Sequence, residues 1–93
     1  RLKKAQYMER WVGYEEQGII SGITSFGIFV QLPNTVEGLV RLDTLIDDYY
    51  EFDQENYRLV GNNHGREFRL GDSVSVVCTK VDTLIGTIDF RLC

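Results

Sequence analysis

Proline is nearly missing from this 93-residue chain, which has Pro33 alone. Cysteine is scarce too, with Cys78 inside a strand-like pattern and Cys93 as the last residue. There is no CxxC pair and no His/Cys cluster, and the single histidine, His64, falls in turn-like sequence, so no metal site is expected. Both cysteines read as free thiols, Cys78 behaving as a small buried hydrophobe. No run of about 18 apolar residues is available to cross a bilayer as a helix. The opening Arg1-Leu2-Lys3-Lys4 is not followed by the apolar core of a signal peptide. The expectation is a soluble, cytoplasmic domain with no membrane contact. Positive charge is also in deficit. Ten Lys and Arg stand against fourteen Asp and Glu, a net charge of −4, whereas proteins that grip polyanions usually present a positive field. Binding to phosphates must therefore be local and modest.

What is present points to one small β domain. Hydrophobic residues make up 43% of the chain and aromatics 12%, with nine glycines to close turns. Residues 17–42, QGIISGITSFGIFVQLPNTVEGLVRL, read as three consecutive strands, since 17–25, 27–32 and 36–42 are rich in β-branched and aromatic residues. Pro33-Asn34-Thr35 supplies the second turn. At Ser25-Phe26-Gly27-Ile28-Phe29-Val30, two phenylalanines stand three apart beside a glycine. A bend or bulge at Gly27 or its neighbour would bring Phe26 and Phe29 to one outer surface, with Ile28 and Val30 dividing between barrel wall and core. Two exposed rings there suit stacked bases. The competing reading packs both rings into the core.

The flanking segments complete an outline. Leu2, Ala5, Met8 and Val12 recur at helical spacing, which predicts a short N-terminal helix ending near Gly13. Its basic start, Arg1, Lys3 and Lys4, reads as a solvated face or as a phosphate contact. Residues 43–48 predict a helical turn capped by Asp43 or Thr44 that plugs one barrel end with Leu45. Residues 49–61, YYEFDQENYRLVG, read as an inserted hairpin too polar for the core, with Tyr49 and Tyr50 pointing to opposite faces. Val74, Val76 and Cys78 share one face of a strand at 73–81, and Ile88, Phe90 and Leu92 share one face of a strand at 87–92. The result is an all-β, five-stranded Greek-key barrel of the OB-fold type, with a helical plug after the third strand and a hairpin inserted before the fourth.

The segments GIISGITSFGIFVQL, EGLVRL, LGDSVSVVCTKVD and GTIDFRL closely resemble the S1 RNA-binding domain, over nearly the whole of residues 15–93. The insertion DDYYEFDQENYRLVG and the lead-in LKKAQYMERWVG resemble a narrower group, the bacterial ribonuclease R family, in which such a barrel follows a catalytic ribonuclease domain. Residues 1–14 then read as the tail of that preceding domain or a linker, and 15–93 as the S1 domain. The resemblance implies a processive 3′-to-5′ exoribonuclease as parent, whose Mg2+ sits in the catalytic domain. This barrel, itself without catalytic residues, would capture single-stranded RNA. Similar barrels also occur in polynucleotide phosphorylase and in ribosomal and initiation proteins.

The family's binding surface carries over to Phe26, Phe29 and Asp82. Where the family usually has histidine and serine after GLV, this chain has Arg41 and Asp43, and Thr87 stands where a basic residue is frequent. Arg41 keeps a planar group that stacks on a base and adds a phosphate partner; its bland alternative is an ion pair with Glu37 or Asp43. Lys80 and Arg91 alternate with apolar residues, so they face solvent and can line an RNA path. The outward ring of the Tyr49-Tyr50 pair, assigned to Tyr49, is a further stacking candidate. Two other readings compete. Asp43, Asp47 and Asp48 suggest a magnesium site, although a helical turn spreads them and no base accompanies them. The acidic surface and the 49–61 hairpin also suit a barrel that docks on the ribonuclease domain of the same chain or on the ribosome, as a monomer.

Overall fold

A computed structural model describes residues 2–93, with only the backbone of Leu2, Lys3 and Lys4. The basic start suggested as a phosphate contact therefore lies outside the described side chains. Helix α1 spans Leu2–Met8 and runs into a single 3-10 turn, Glu9–Trp11. The strands are β1 (Glu15–Thr24), β2 (Gly27–Gln31), β3 (Glu37–Arg41), β4 (Tyr50–Asp53), β5 (Arg58–Gly61), β6 (Glu67–Arg69), β7 (Ser73–Asp82) and β8 (Thr87–Leu92).

Strands β1, β2, β3, β8 and β7 close, in that order, into a barrel, and β4, β5 and β6 form a separate sheet. All barrel pairings are antiparallel except β3 with β8. That order, with a closed five-stranded barrel, is the OB-type architecture. Period-two alternation fills the interior: Ile28 and Val30 of β2, Val40 of β3, Val76 and Cys78 of β7, and Ile88 and Phe90 of β8 are all buried. Ile28 and Val30 do not divide between wall and core; both point inward, which leaves Phe29 between them facing out. Gly38 of β3 makes room for the Phe90 ring, whose nearest atom is 2.6 Å from the place a Cβ would occupy.

The bulge expected at Gly27 lies instead in β1. Ile20 pairs with Val30 and Gly22 with Phe29, so Ser21 is the extra residue. Gly18 and Ile20 point inward before it and Ile23 after it, so the inward phase changes from even to odd positions. Gly22 is thereby turned outward, opposite Phe29.

Past Ile19, β1 has no β7 partner, and the inserted sheet covers that edge. The Ile20 N–H donates to the Asp72 carbonyl at 2.9 Å, Gly71 N–H to the Ile20 carbonyl at 2.9 Å, and Ile23 N–H to Tyr57 Oη at 3.4 Å. The insertion is also less peripheral than its polarity suggested. Tyr50, Leu59 and Phe68 are buried, one from each of its strands. The polar tip remains in solvent while alternate residues join the core, and β6 extends the hairpin into a three-stranded sheet.

The helical turn after β3 is a 3-10 turn over Leu42–Thr44, one residue earlier than expected, and no side chain caps its N-terminus. Leu45 is nonetheless buried, as part of the core cluster. At the N-terminus Ala5 and Met8 are buried and α1 packs on β7 and β8. Val12 leaves this face and is exposed, because the chain extends there to bridge Cys78 and turns at Gly13, φ +90°. No helix among the described residues is long and apolar enough to cross a membrane.

Candidate nucleic-acid interface

One row of residues crosses four strands on the outside of the barrel. Phe29 pairs with Leu39, Leu39 with Asp89, and Asp89 with Lys80. Phe26 adjoins this row from the β1–β2 turn. The Thr24 side chain builds that turn, its Oγ1 accepting from the Phe26 and Gly27 N–H groups at 3.2 and 3.1 Å and donating to the Gly27 carbonyl at 2.8 Å. The Phe26 carbonyl accepts from Leu42 N–H at 2.9 Å, which ties the turn to the segment after β3. Phe26 is 57% exposed and Phe29 half-buried. Their rings meet edge to face, centroids 6.3 Å apart and planes at 89°, an arrangement favoured by the aromatic quadrupole. The pair is a surface platform and not part of the core.

Beside it an open groove of about 430 Å³ is lined by Phe26, Leu39, Arg41, Leu42 and Asp43. Arg41 pairs with Asp43 side-on, Nε to Oδ1 at 3.4 Å and Nη2 to Oδ2 at 3.2 Å. That hydrogen bond and the charge of Asp43, with a smaller share from Asp89, hold the guanidinium pKa above its ordinary value. The parallel register of β3 and β8 places Arg91 on from Asp89 in the direction that Arg41 lies from Leu39. Phe26, Phe29, Arg41, Lys80 and Arg91 thus share one outer face of the barrel.

Asp82 and Tyr49 stand apart from this group. Asp82 pairs with Thr87, toward the Glu37 end of the face and away from Phe26. Its Oδ1 accepts from the Leu84 and Ile85 N–H groups at 3.0 and 3.3 Å, so its carboxylate shapes the β7–β8 turn. Tyr49 is 78% exposed while Tyr50 is buried, as the alternation requires. Tyr49 lines a second groove, about 500 Å³, that shares Leu42 and Asp43 with the first. The remaining acids after β3 are each engaged. Asp47 accepts from Tyr50 Oη at 3.0 Å and pairs with Arg66 at 3.6 Å. Burial alone would raise the Asp48 pKa, but the N–H groups of His64, Asn63 and Tyr49 together hold it below the ordinary range. His64 acts through its backbone, as a turn residue. Among the described residues no cluster of His, Cys, Asp or Glu could hold a metal ion.

Leu39, Leu42 and Asp89 are the members of this surface that sequence reasoning missed. Outward phase in an alternating strand was a signal for Leu39 and Asp89. That they adjoin Phe29 follows only from the parallel β3–β8 pairing.

A closed five-stranded barrel of this strand order is the oligonucleotide/oligosaccharide-binding fold, here carrying an outward aromatic pair beside an arginine on one face. The model of the S1 RNA binding domain matches residues 12–92, and the chain belongs to that family. Ribonucleases R are among its curated relatives. It is 41% identical over 91 residues to ribonuclease R 1 of Lactococcus lactis and 50% identical over 90 residues to ribonuclease R of Aquifex aeolicus. These matches cover 98% and 96% of this chain but 11% and 13% of the relatives, so the chain spans about one eighth of their length. The apo form of Mycoplasma genitalium RNase R superposes with a TM-score of 0.93 at 27% identity, over 99% of this chain and 14% of that one. The same enzyme in complex with ribose-methylated single-stranded RNA superposes with a TM-score of 0.90 at 28% identity, over 96% and 14%.

Proposed function

We propose that this domain binds single-stranded RNA with little dependence on base sequence and captures substrate for a ribonuclease R-like 3′-to-5′ exoribonuclease. The observation that carries the reading is the outward-facing Phe26–Phe29 pair beside a groove that Phe26 shares with Leu39, Arg41, Leu42 and Asp43. Every base has a π-face, and stacking contributes about 1–3 kcal/mol per base without reading its edges. Lys80 and Arg91 supply a few backbone contacts beside the row, Tyr49 extends the platform into the second groove, and Asp82 holds the turn at the far end. Few cations mean few released counterions and a shallow salt dependence. Chemistry belongs to another part of such an enzyme, where Mg2+ would act on the phosphodiester. The complex of the M. genitalium relative with RNA supports this reading; the setting that goes with it is RNA degradation in the cytoplasm by a monomer.

The test is an amide-shift titration with a short single-stranded RNA, followed by Phe26→Ala/Phe29→Ala. The expected result is shifts clustered on residues 26–29, 39–43 and 89, and a loss of at least about tenfold in affinity in the double variant. Shifts gathered on β4 and β5, with binding indifferent to the double variant, would point instead to a barrel that docks on protein.

A further inference from the structure

Arg41 is the cation of a groove whose other walls are Phe26, Leu39, Leu42 and Asp43. Its Nε–Nη2 edge, which would grip a phosphate bidentately, is already taken by both carboxylate oxygens of Asp43. Asp89, in the Leu39 row, adds negative charge close enough to act on Arg41. The pair is therefore close to neutral as seen by an incoming phosphate, so the end-on Nη1–Nη2 donors attract it weakly, and the flat face of the guanidinium stays open. Both partners are solvent-exposed, at 59% and 67%, so a base can reach that face without dislodging apolar contacts.

Building on the stacking reading above, we propose that Asp43 fixes Arg41 as a stacking plate and keeps it from acting as a phosphate clamp. The groove then selects RNA by its unpaired bases and discriminates against duplex RNA, which presents phosphates but no free base faces. Specificity of this kind is set against the unwanted ligand as much as for the wanted one. It suits a chain of net charge −4, in which general attraction to polyanions is weak. Asp43 is a positioning residue here, since it acts through Arg41.

The experiment measures binding of single-stranded oligouridylate and of a short RNA duplex over a range of salt. The proteins are the wild type, Arg41→Ala, Arg41→Lys and Asp43→Asn. Arg41→Ala is expected to weaken single-strand binding about two- to fivefold with no change in the slope of log K against log salt. Arg41→Lys is expected to lose as much, because an ammonium has no plane to stack. Asp43→Asn is expected to raise duplex affinity about two- to fivefold and to steepen its salt slope by about 0.9. A flatter slope in Arg41→Ala with rescue by Arg41→Lys would overturn the proposal, as would an Asp43→Asn protein identical to wild type on duplex. If Phe26→Ala/Phe29→Ala still binds normally, the stacking reading itself has failed. If that pair is required but Arg41 behaves as a simple cation, only the role of Asp43 falls.

Discussion

The Phe29 ring lies across Gly22 of the neighbouring strand, with Cδ2 only 3.3 Å from where a Gly22 side chain would begin. The two are paired across β1 and β2 because the Ser21 bulge turns Gly22 outward. The glycine is the bed on which one half of the aromatic platform rests. Gly22→Val is expected to tilt the ring and weaken RNA binding, by less than Phe29→Ala does, while the thermal midpoint changes little. Titration with single-stranded RNA alongside a melting curve checks this. Normal binding by Gly22→Val would mean that ring position is set elsewhere.

Gly27 should be far less tolerant. Its φ of +154° is one that side chains rarely adopt, and a Cβ there would sit 2.3 Å from the Val40 carbonyl oxygen. That oxygen, Arg41 Cα and Leu42 N, the three nearest atoms, all belong to the backbone, so backbone would have to move. Gly27→Ala is expected to cost about 2–3 kcal/mol, read from urea unfolding, and to disturb the shifts of Phe26 and Arg41 together.

Tyr57 Oη takes the Ile23 N–H on the edge of β1 that β7 leaves unpaired. Tyr57→Phe leaves that amide to water and is expected to cost about 0.5–1.5 kcal/mol. Hydrogen exchange at Ile23 should accelerate more than at Ile28, which lies inside the barrel.

Acid sensitivity should concentrate in the inserted sheet. Hydrogen bonds from Asn56 and Arg58 hold the Asp53 carboxyl down to about 2, with Arg58 Nε at 2.8 Å and Asn56 Nδ2 at 2.9 Å. A depressed carboxyl stabilises the fold above its unfolded value, about 3.9, and this contribution is lost as pH falls through its folded value. The stability gap between wild type and Asp53→Asn is therefore expected to hold above about pH 4 and to close between pH 4 and 2. Urea midpoints across that range measure it; a gap independent of pH would show that the carboxylate charge is not what matters.

The alternating strands were legible because burial of a strand is local and periodic. Val76, Cys78, Ile88 and Phe90 lie inside as their spacing demands, and the same spacing turns Phe29 out. The exposed ring of the Tyr49–Tyr50 pair follows from the same rule. The insertion was harder to read, since its polar tip dominates the composition while Tyr50, Leu59 and Phe68 lie too far apart in sequence to advertise a shared core.

The amino-acid sequence alone determined the barrel, the aromatic pair and the family, since each rests on residue type and short-range spacing. Only the tertiary structure decided which residues stand beside that pair. Seating Asp89 next to Leu39, and with it the row that runs from Phe29 to Lys80, depends on closing the barrel through β3 and β8. Strands so distant in sequence acquire a register only when the whole sheet closes, and no local pattern encodes it.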